Sequence, residues 1–207
     1  MFGRAILHSI TIPEGLTSQQ IVERLRADPN LTGEIDVVPP EGSLLPDTHK
    51  FSRGTTRQEI LDRMMADRKK VFAALWEKRQ AELPFKTPDE ALIMASIVEK
   101  ETGRADERAR VAAVFVNRLR KGMKLDSDPT IIYGLVGGQG PLGRPISKAD
   151  KDTRTPFNTY HIPGLPPTPI CNPGREAVQA VLNPPHTSEL YFVADGQGGH
   201  KFSSTLK

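Results

Sequence analysis

Residues 87–103, TPDEALIMASIVEKETG, decide the fold of this 207-residue chain. Thr87 can cap a helix, Pro88 suits the first helical position, and Gly103 suits the position just after the end. The first half of the stretch is apolar on every side, which is typical of a helix buried in a core rather than lying on its surface. The sequence therefore predicts a central, buried helix that runs to Thr102.

Glu99 lies in the last turn of this helix, on the face of Leu92 and Ala95. Apolar neighbours and the negative end of the helix dipole both raise the pKa of a carboxyl. A carboxyl that stays protonated near neutral pH is suited to protonating a glycosidic oxygen. The alternative is a solvated Glu99 that pairs with Lys100 or Arg104 at a frayed helix end.

Glu101 follows two residues later, about 200° around the helix, so it does not share a face with Glu99. The spacing predicts that the two are not a catalytic carboxylate pair on one helix. Glu101 is expected to form an ion pair or to cap the helix end, with a supporting role in a site as the alternative. A glycosidic reaction would then need a second carboxylate from elsewhere, or none.

The elements on both sides of the central helix predict an α+β chain with a small αβ module over residues 1–53 and an α-rich domain over residues 54–207. In chain order we predict a strand over 4–12, helices over 17–26 and 56–83 with a strand over 34–38 between them, a helix over 106–121, a short helix from Pro129, a long ordered Pro/Gly-rich loop over 155–174, a short helix over 173–182 and a closing β-hairpin.

Composition excludes several classes of protein. Hydrophobic residues make up 37% and charged residues 26%, which fits neither a disordered chain nor a membrane span. A net charge of +3 is too small to predict nucleic acid as a partner. The single cysteine, Cys171, cannot form an internal disulfide.

Other polar motifs give weaker indications. Asp126 and Asp128 could bind a hard cation, but a helix cap before Pro129 is the favoured interpretation. The five histidines have no paired metal spacing, so we expect neither a metal nor a cofactor. The glycine-rich residues 134–143 lack the ending of a phosphate loop and are interpreted as a flexible connection. In the long loop, Tyr160 offers a sugar an aromatic face with a polar tip, or anchors the loop.

Several segments, taken together and in order, resemble the YceG-like family of endolytic murein transglycosylases. They are residues 95–102 (ASIVEKET), 117–119 (NRL), 128–130 (DPT), 133–134 (YG), 158–160 (NTY), 164–167 (GLPP), 183–184 (NP) and 191–195 (YFVAD). The earlier segments 12–15 (IPEG) and 46–48 (PDT) resemble the LysM-like module that precedes the catalytic domain in this family.

The resemblance implies a lytic transglycosylase-like catalytic domain, acting without a cofactor on peptidoglycan glycan strands. Such enzymes cut between MurNAc and GlcNAc and leave 1,6-anhydro-MurNAc ends, using a single Glu as acid and then as base. The family's catalytic Glu falls on Glu99 in this resemblance, with Asn117, Asp128, Asn158 and Tyr160 as substrate contacts. A peptidoglycan-binding module without catalysis, or a scaffold for wall-synthesis proteins, is the alternative function.

The resemblance also has departures. Asp126 stands where the family pattern has Gln, and His49 where it has Tyr. The family's transmembrane helix and its final helix have no counterpart in these residues, so we expect a periplasmic part of a single-pass inner-membrane protein. Its expected partners are glycan strands and peptidoglycan synthases, with membrane contact only through the absent anchor.

Overall fold

The computed structural model describes residues 7–206, and within them it contains seven helices and two small antiparallel sheets. In chain order the elements are β1 (Leu7–Thr11), α1 (Ser18–Ala27), β2 (Thr48–Ser52), α2 (Arg57–Glu77), α3 (Pro88–Glu101), α4 (Ala105–Arg120), α5 (Asp128–Val136), α6 (Lys148–Asp152), α7 (Arg175–Leu182), β3 (Tyr191–Ala194) and β4 (His200–Ser203). The prediction of an α+β chain that ends in a β-hairpin is confirmed.

The N-terminal sheet differs from the prediction. β1 pairs with β2, Leu7 opposite Ser52 and Thr11 opposite Thr48. The predicted strand over 34–38 is wrong, because only Ile35 of its apolar residues is buried, whereas Val37 is 75% exposed. Residues 4–6 of the first predicted strand lie outside the described residues.

The α2 helix ends at Glu77, six residues before the predicted end. The chain turns there because Lys78 N–H bonds back to the last helical carbonyls. Gln80 N–H then donates to the Leu182 carbonyl at the end of α7 (3.0 Å). The turn therefore brings the chain beyond α2 against α7.

Two hydrophobic cores lie along the chain, and α2 contributes to both. The N-terminal core comprises residues of β1, α1, β2 and the first half of α2, with loop residues between them. The central core comprises the second half of α2 with α3, α4 and α7. We call the part around the first core the N-terminal lobe. Because Ile60 and Met64 belong to that lobe, its packing extends past the predicted boundary at residue 53.

The α3 helix is the predicted central helix. Thr87 caps it by accepting a hydrogen bond from Glu90 N–H, and every residue from Ala91 to Val98 is buried. It packs against α4, α5 and α7. Its carboxyl end therefore meets three other parts of the chain, and these surround the two glutamates of the last turn.

Asn172 joins the N-terminal lobe to the loop before α7. Its fully buried amide accepts a hydrogen bond from Leu44 N–H (3.0 Å) and donates to the Leu16 carbonyl (3.2 Å) and to Ser18 Oγ (3.0 Å). Its backbone also pairs with Leu16 and Gly15. One side chain thus connects two segments of the N-terminal lobe, around residues 16–18 and at Leu44, to the rest of the chain.

We expect Asn172→Ala to lower the free energy of unfolding by about 2–4 kcal/mol, because Leu44 N–H would remain buried without an acceptor. Urea and thermal unfolding measure the change. Asn30→Ala is the matched control, since the exposed Asn30 side chain bonds only to Asp28 in its own turn. Equal losses for the two variants would contradict the proposed connecting role of Asn172.

Candidate active site

The last turn of α3 presents two carboxyl groups to different surroundings. Glu99 contacts the start of α7 and the N-terminal lobe, whereas Glu101 contacts the start of α5. The separation follows from the two-residue spacing, which turns the side chains about 200° apart on a helix. The predicted absence of a carboxylate pair on one helix face agrees with these contacts.

Glu99 lies beneath the N-terminal lobe, with its side chain only 6% exposed. Its Oε2 accepts a hydrogen bond from Gly174 N–H (2.9 Å), and Arg108 Nη2 lies 4.0 Å from Oε1. The Gly15 Cα region covers the side chain, and the Glu14 carboxylate occupies the space beside Gly174 Cα where a Cβ would stand. Chain atoms therefore fill the surroundings of the Glu99 carboxyl.

The surroundings of Glu99 raise its pKa above the usual value of a carboxyl, although single groups act in both directions. Burial raises the pKa, and the nearby Glu14 carboxylate acts in the same direction. Gly174 N–H, Arg108 and Lys100 favour the ionised form and oppose this rise. The sequence argument for burial of Glu99 is thus met, but the carboxyl is also held by donors that suit an anion.

Glu101 is half-buried at the carboxyl end of α3. Its Oε1 accepts a hydrogen bond from Ser127 Oγ (2.5 Å). Burial raises the pKa of Glu101 to about 7, and the Asp128 carboxylate acts in the same direction, whereas the Ser127 hydrogen bond opposes the rise. Glu101 therefore keeps its proton to a higher pH than an ordinary carboxyl does.

The surroundings of Glu101 do not include the predicted ion pair. Among residues 7–206, no basic side chain lies within 4.0 Å of its carboxylate, and no hydrogen bond engages Oε2. One oxygen is thus held in place by Ser127.

Hydrogen bonds join the residues next to Glu101 to the loop over 158–160. Ser127 N–H donates to Thr159 Oγ1 (2.9 Å), and Thr159 Oγ1 also bonds to Thr130 Oγ1 (2.9 Å). Tyr160 O–H donates to Asp128 Oδ1 (2.7 Å). The predicted site residues Asp128 and Tyr160 therefore touch each other, beside Glu101 rather than beside Glu99.

Tyr160 is held on two sides. Its ring lies 5.2 Å from Lys151 Nζ, a cation–π contact, and Lys151 also pairs with Asp128 (3.5 Å). Burial and the hydrogen bond to Asp128 raise the pKa of Tyr160 above its usual value, so the hydroxyl remains a donor. Both interpretations of Tyr160 fit this arrangement, since the ring anchors the loop and stays partly exposed.

Asn158 supports the loop from inside. The side chain is 1% exposed, and its Nδ2 donates to the carbonyls of Lys151 (3.0 Å) and Thr153 (2.7 Å). Its Oδ1 accepts from Tyr160 N–H (3.0 Å). The Asn158 amide thus forms its hydrogen bonds within the chain, and it affects the site by positioning Tyr160.

Asn117 lies on α4 and bonds to the segment before the hairpin. Its Nδ2 donates to the carbonyls of Thr187 (2.9 Å) and Glu189 (3.0 Å). The next residue, Arg118, donates to the Leu125 carbonyl (2.9 Å) and lies 3.3 Å from Asp126 Oδ2. Asn117 thus stands outside the cluster around Glu101, whereas Arg118 reaches the loop that leads into it.

Asp126 has a backbone φ of 51°, a left-handed conformation that is rare for residues other than glycine. It directly precedes Ser127, and its carboxylate is 41% exposed. Non-glycine residues in this conformation cost about 1–3 kcal/mol and concentrate at functional sites. The strained turn fixes where Ser127 meets Glu101.

The sequence did not single out Ser127, and it gave Glu101 an ion-pairing or capping role with a supporting role in a site as the alternative. A signal for Glu101 was present, because a carboxyl at the very end of a helix meets the negative end of the dipole more closely than Glu99 does. Ser127 carried no such signal, since only the fold brings α5 against the end of α3. Residues 134–143, interpreted as a flexible connection, instead contact α1, where Thr17 Oγ donates to the Gly138 carbonyl (2.7 Å).

The described residues hold no group of three His, Cys, Asp or Glu side chains placed to bind a metal ion. Within the same residues, no helix has both the length and the apolar character needed to cross a membrane.

Comparison with known proteins places this geometry in a family. A model of the YceG-like family matches residues 3–207. The chain belongs to the YceG-like family. The family resemblance given by the sequence segments is therefore confirmed.

Two relatives of this chain are named for an enzymatic activity. A Bacillus subtilis protein named endolytic murein transglycosylase is 33% identical over 169 residues, which is 82% of this chain and 46% of the relative. A Streptococcus pneumoniae protein of the same name is 35% identical over 160 residues, 75% of this chain and 28% of the relative. The chain thus spans less than half the length of these two relatives.

A solved structure shares the fold. A crystal structure of a yceG-like protein from Listeria monocytogenes superposes with a TM-score of 0.76 at 30% identity and covers 96% of this chain and 73% of that one. The N-terminal lobe and the part around the central core thus match a known YceG-like structure along nearly the whole chain.

Proposed function

We propose that this chain is an endolytic peptidoglycan lytic transglycosylase and that Glu101 is its proton donor. The observation that carries the proposal is the convergence of three separate stretches on one proton-bearing carboxyl. These stretches are the end of α3, the start of α5 and the loop over 158–160. Two relatives named for this activity support the same function.

In the proposed reaction, protonated Glu101 gives its proton to the glycosidic oxygen O4, which joins MurNAc C1 to GlcNAc C4. The C1–O4 bond breaks, and the resulting Glu101 carboxylate takes the proton of the MurNAc C6 hydroxyl. The C6 oxygen bonds to C1 and forms the 1,6-anhydro ring. Because the Glu101 proton is restored within one turnover, this reaction needs neither water nor a second carboxylate.

Glu99 is the competing assignment, since the sequence resemblance places the acid there. A proton donor must touch the glycosidic oxygen of a polymer, and the Glu99 side chain is 6% exposed beneath Gly15 and Gly174. We therefore propose that Glu99 positions the end of α3 against α7 and the N-terminal lobe. Glu101 is favoured as the donor because, among the described residues, it has no basic side chain within 4.0 Å and it lies beside Asp128 and Tyr160, whereas Arg108 lies 4.0 Å from Glu99.

The other predicted site residues receive roles from their contacts. Ser127 orients the Glu101 carboxyl, and Asp128 with Tyr160 forms the neighbouring wall that would contact sugar. Asn158 and Asn117 act through the chain, Asn158 by holding Tyr160 and Asn117 by holding the hairpin. In the proposed setting the N-terminal lobe is a LysM-like module, and the chain works on the cell wall on the periplasmic side, where peptidoglycan synthases are candidate partners.

Hydrolysis is a second candidate because the structure has another carboxylate in the loop next to Glu101. Asp126 is 41% exposed, sits in a strained left-handed turn and directly precedes the residue that binds Glu101. A carboxylate on the far side of the sugar from the acid is what an inverting hydrolase uses to activate water. With Asp126 as the base, the same bond would be cut and a reducing end would form.

Mass spectrometry of purified peptidoglycan strands incubated with the chain tests the proposal. We expect internal cuts that produce 1,6-anhydro-MurNAc ends, 18 mass units lighter than the hydrolysed product because no water is added. Reducing ends that disappear in Asp126→Asn would instead establish hydrolysis. No cleavage by the folded chain would contradict both reactions and favour a binding module.

A further inference from the structure

A cavity of about 340 Å³ lies between α5 and the carboxyl end of α3, where Lys100 is part of its lining. One wall is a single face of α5, formed by Pro129, Ile132, Tyr133 and Val136 at helical spacing. In sequence, Pro129 directly follows Asp128 and Lys100 lies between Glu99 and Glu101, so the cavity is lined by the neighbours of the proposed site residues.

The opposite wall is the glycine-rich loop from Gly138 to Arg144. Thr17 holds this loop through the Gly138 carbonyl (2.7 Å). Gly138 has a φ of 78°, and a Cβ there would stand 3.0 Å from Glu41 Oε1 and 3.1 Å from the Tyr133 ring. Only glycine permits this close approach, and the loop thus forms a fixed wall of the cavity.

The charges around the cavity have one sign. Of the described residues that line it, only Lys100 and Arg144 are charged, and none is acidic. Asp150 pairs with Arg144 (2.5 Å). Lys100 Nζ donates to the Gly15 carbonyl (3.2 Å), and within residues 7–206 no carboxylate oxygen lies within 4.0 Å of it.

A larger cavity of about 570 Å³ lies on the other side of Tyr133, and it differs in charge. Its lining has the acids Glu41 and Asp89 together with the bases Arg68 and Lys69. A lining with two acidic and two basic side chains does not favour an anion. The smaller cavity, whose charged lining residues are both basic, does favour one.

We propose that the smaller cavity binds the carboxylate-bearing peptide stem that peptidoglycan carries on MurNAc. The lactyl and alanyl methyl groups of such a stem suit the apolar face of α5, and its carboxylates suit Lys100 at the rim. This inference rests on the proposed function, because it takes the glycan strand to pass along the adjoining cluster. Its consequence is a preference for strands that retain their peptides.

Calorimetric titration tests the proposal with two soluble probes, GlcNAc–MurNAc and the same disaccharide bearing an alanyl-glutamyl peptide with free carboxylates. Neither probe contains the MurNAc–GlcNAc bond, so binding is measured without cleavage. We expect the peptide-bearing probe to bind about tenfold more tightly, with the difference reduced by salt.

Ile132→Glu places a negative charge inside the cavity and is expected to abolish the preference for the peptide-bearing probe. Lys100→Gln removes the positive charge at the exposed rim and is expected to have the same effect. Lys100→Gln keeps the test decisive if Ile132→Glu fails to fold. Val37→Glu is the control, because Val37 is 75% exposed and is not among the residues that line the cavity. Equal affinity for the two probes, or an unchanged preference in Lys100→Gln, would overturn the proposal, whether or not the chain cuts glycan.

Discussion

Glu101→Gln is expected to lower the rate of glycan cleavage about a thousandfold, because it removes the proton that the leaving oxygen requires. The substitution is nearly isosteric, and the Gln oxygen can still accept the hydrogen bond of Ser127 Oγ. Cleavage is measured as the initial rate at which new strand ends appear by mass spectrometry. Thermal unfolding of the variant confirms that the fold is kept.

Glu99→Gln is the matched control on the same helix, two residues away. The Gln oxygen can still accept the hydrogen bond of Gly174 N–H, so the junction of α3 and α7 is retained. We expect this variant to keep its cleavage rate within about tenfold of the parent, because the side chain does not touch the substrate. A thousandfold loss in Glu99→Gln with an active Glu101→Gln would return the proton donor to the position inferred from sequence.

The pH dependence of cleavage is the second large effect. The required form of Glu101 is protonated, and its pKa is raised from 4.5 to about 7. The value of kcat/KM should therefore be level below pH 6 and fall about tenfold per pH unit above pH 7. A carboxyl with an ordinary pKa would already lose activity above pH 5, so a fall near pH 7 indicates a donor with a raised pKa, and the Glu99→Gln and Glu101→Gln variants identify which residue it is.

Protein stability gives an independent check on the same pKa. In the unfolded chain Glu101 ionises near pH 4.5, whereas in the folded chain it resists ionisation until about pH 7. Folding of the parent therefore weakens as pH rises from 4.5 to 7 and then levels off. Gln does not titrate, so the melting temperature of Glu101→Gln relative to the parent should increase from pH 5 to pH 8. A constant difference would contradict the raised pKa.

Local signals explain which elements were predictable. Capping boxes at Thr17 and Thr56 and the Thr87 cap fix the starts of α1, α2 and α3, because the side chains that satisfy the first free N–H groups are close in sequence. The strand β2 had no comparable signal. Its five residues form a strand because β1 lies beside them, whereas residues 34–38 have more apolar side chains but no strand partner among the described residues.

The candidate site was likewise predictable only in part from local sequence signals. Burial of the last turn of α3 was predictable from residue order and spacing, and the family from the resemblance of several segments, which also pointed to Asp128 and Tyr160. The choice between Glu99 and Glu101 was not, because it depends on which distant segments cover each side of the helix. The Gly15 and Gly174 backbones cover Glu99, and Ser127 approaches Glu101.

The sequence by itself determined the central helix, the two glutamates on opposite sides of its last turn and the membership of the YceG-like family. Only the tertiary structure decided which segments surround each carboxyl, Gly174 and Gly15 at Glu99 and Ser127 at Glu101. The physical reason is that a helix sets the direction of a side chain within a few residues, whereas desolvation and hydrogen bonding come from segments far along the chain. For Glu101 that partner is Ser127, 26 residues away.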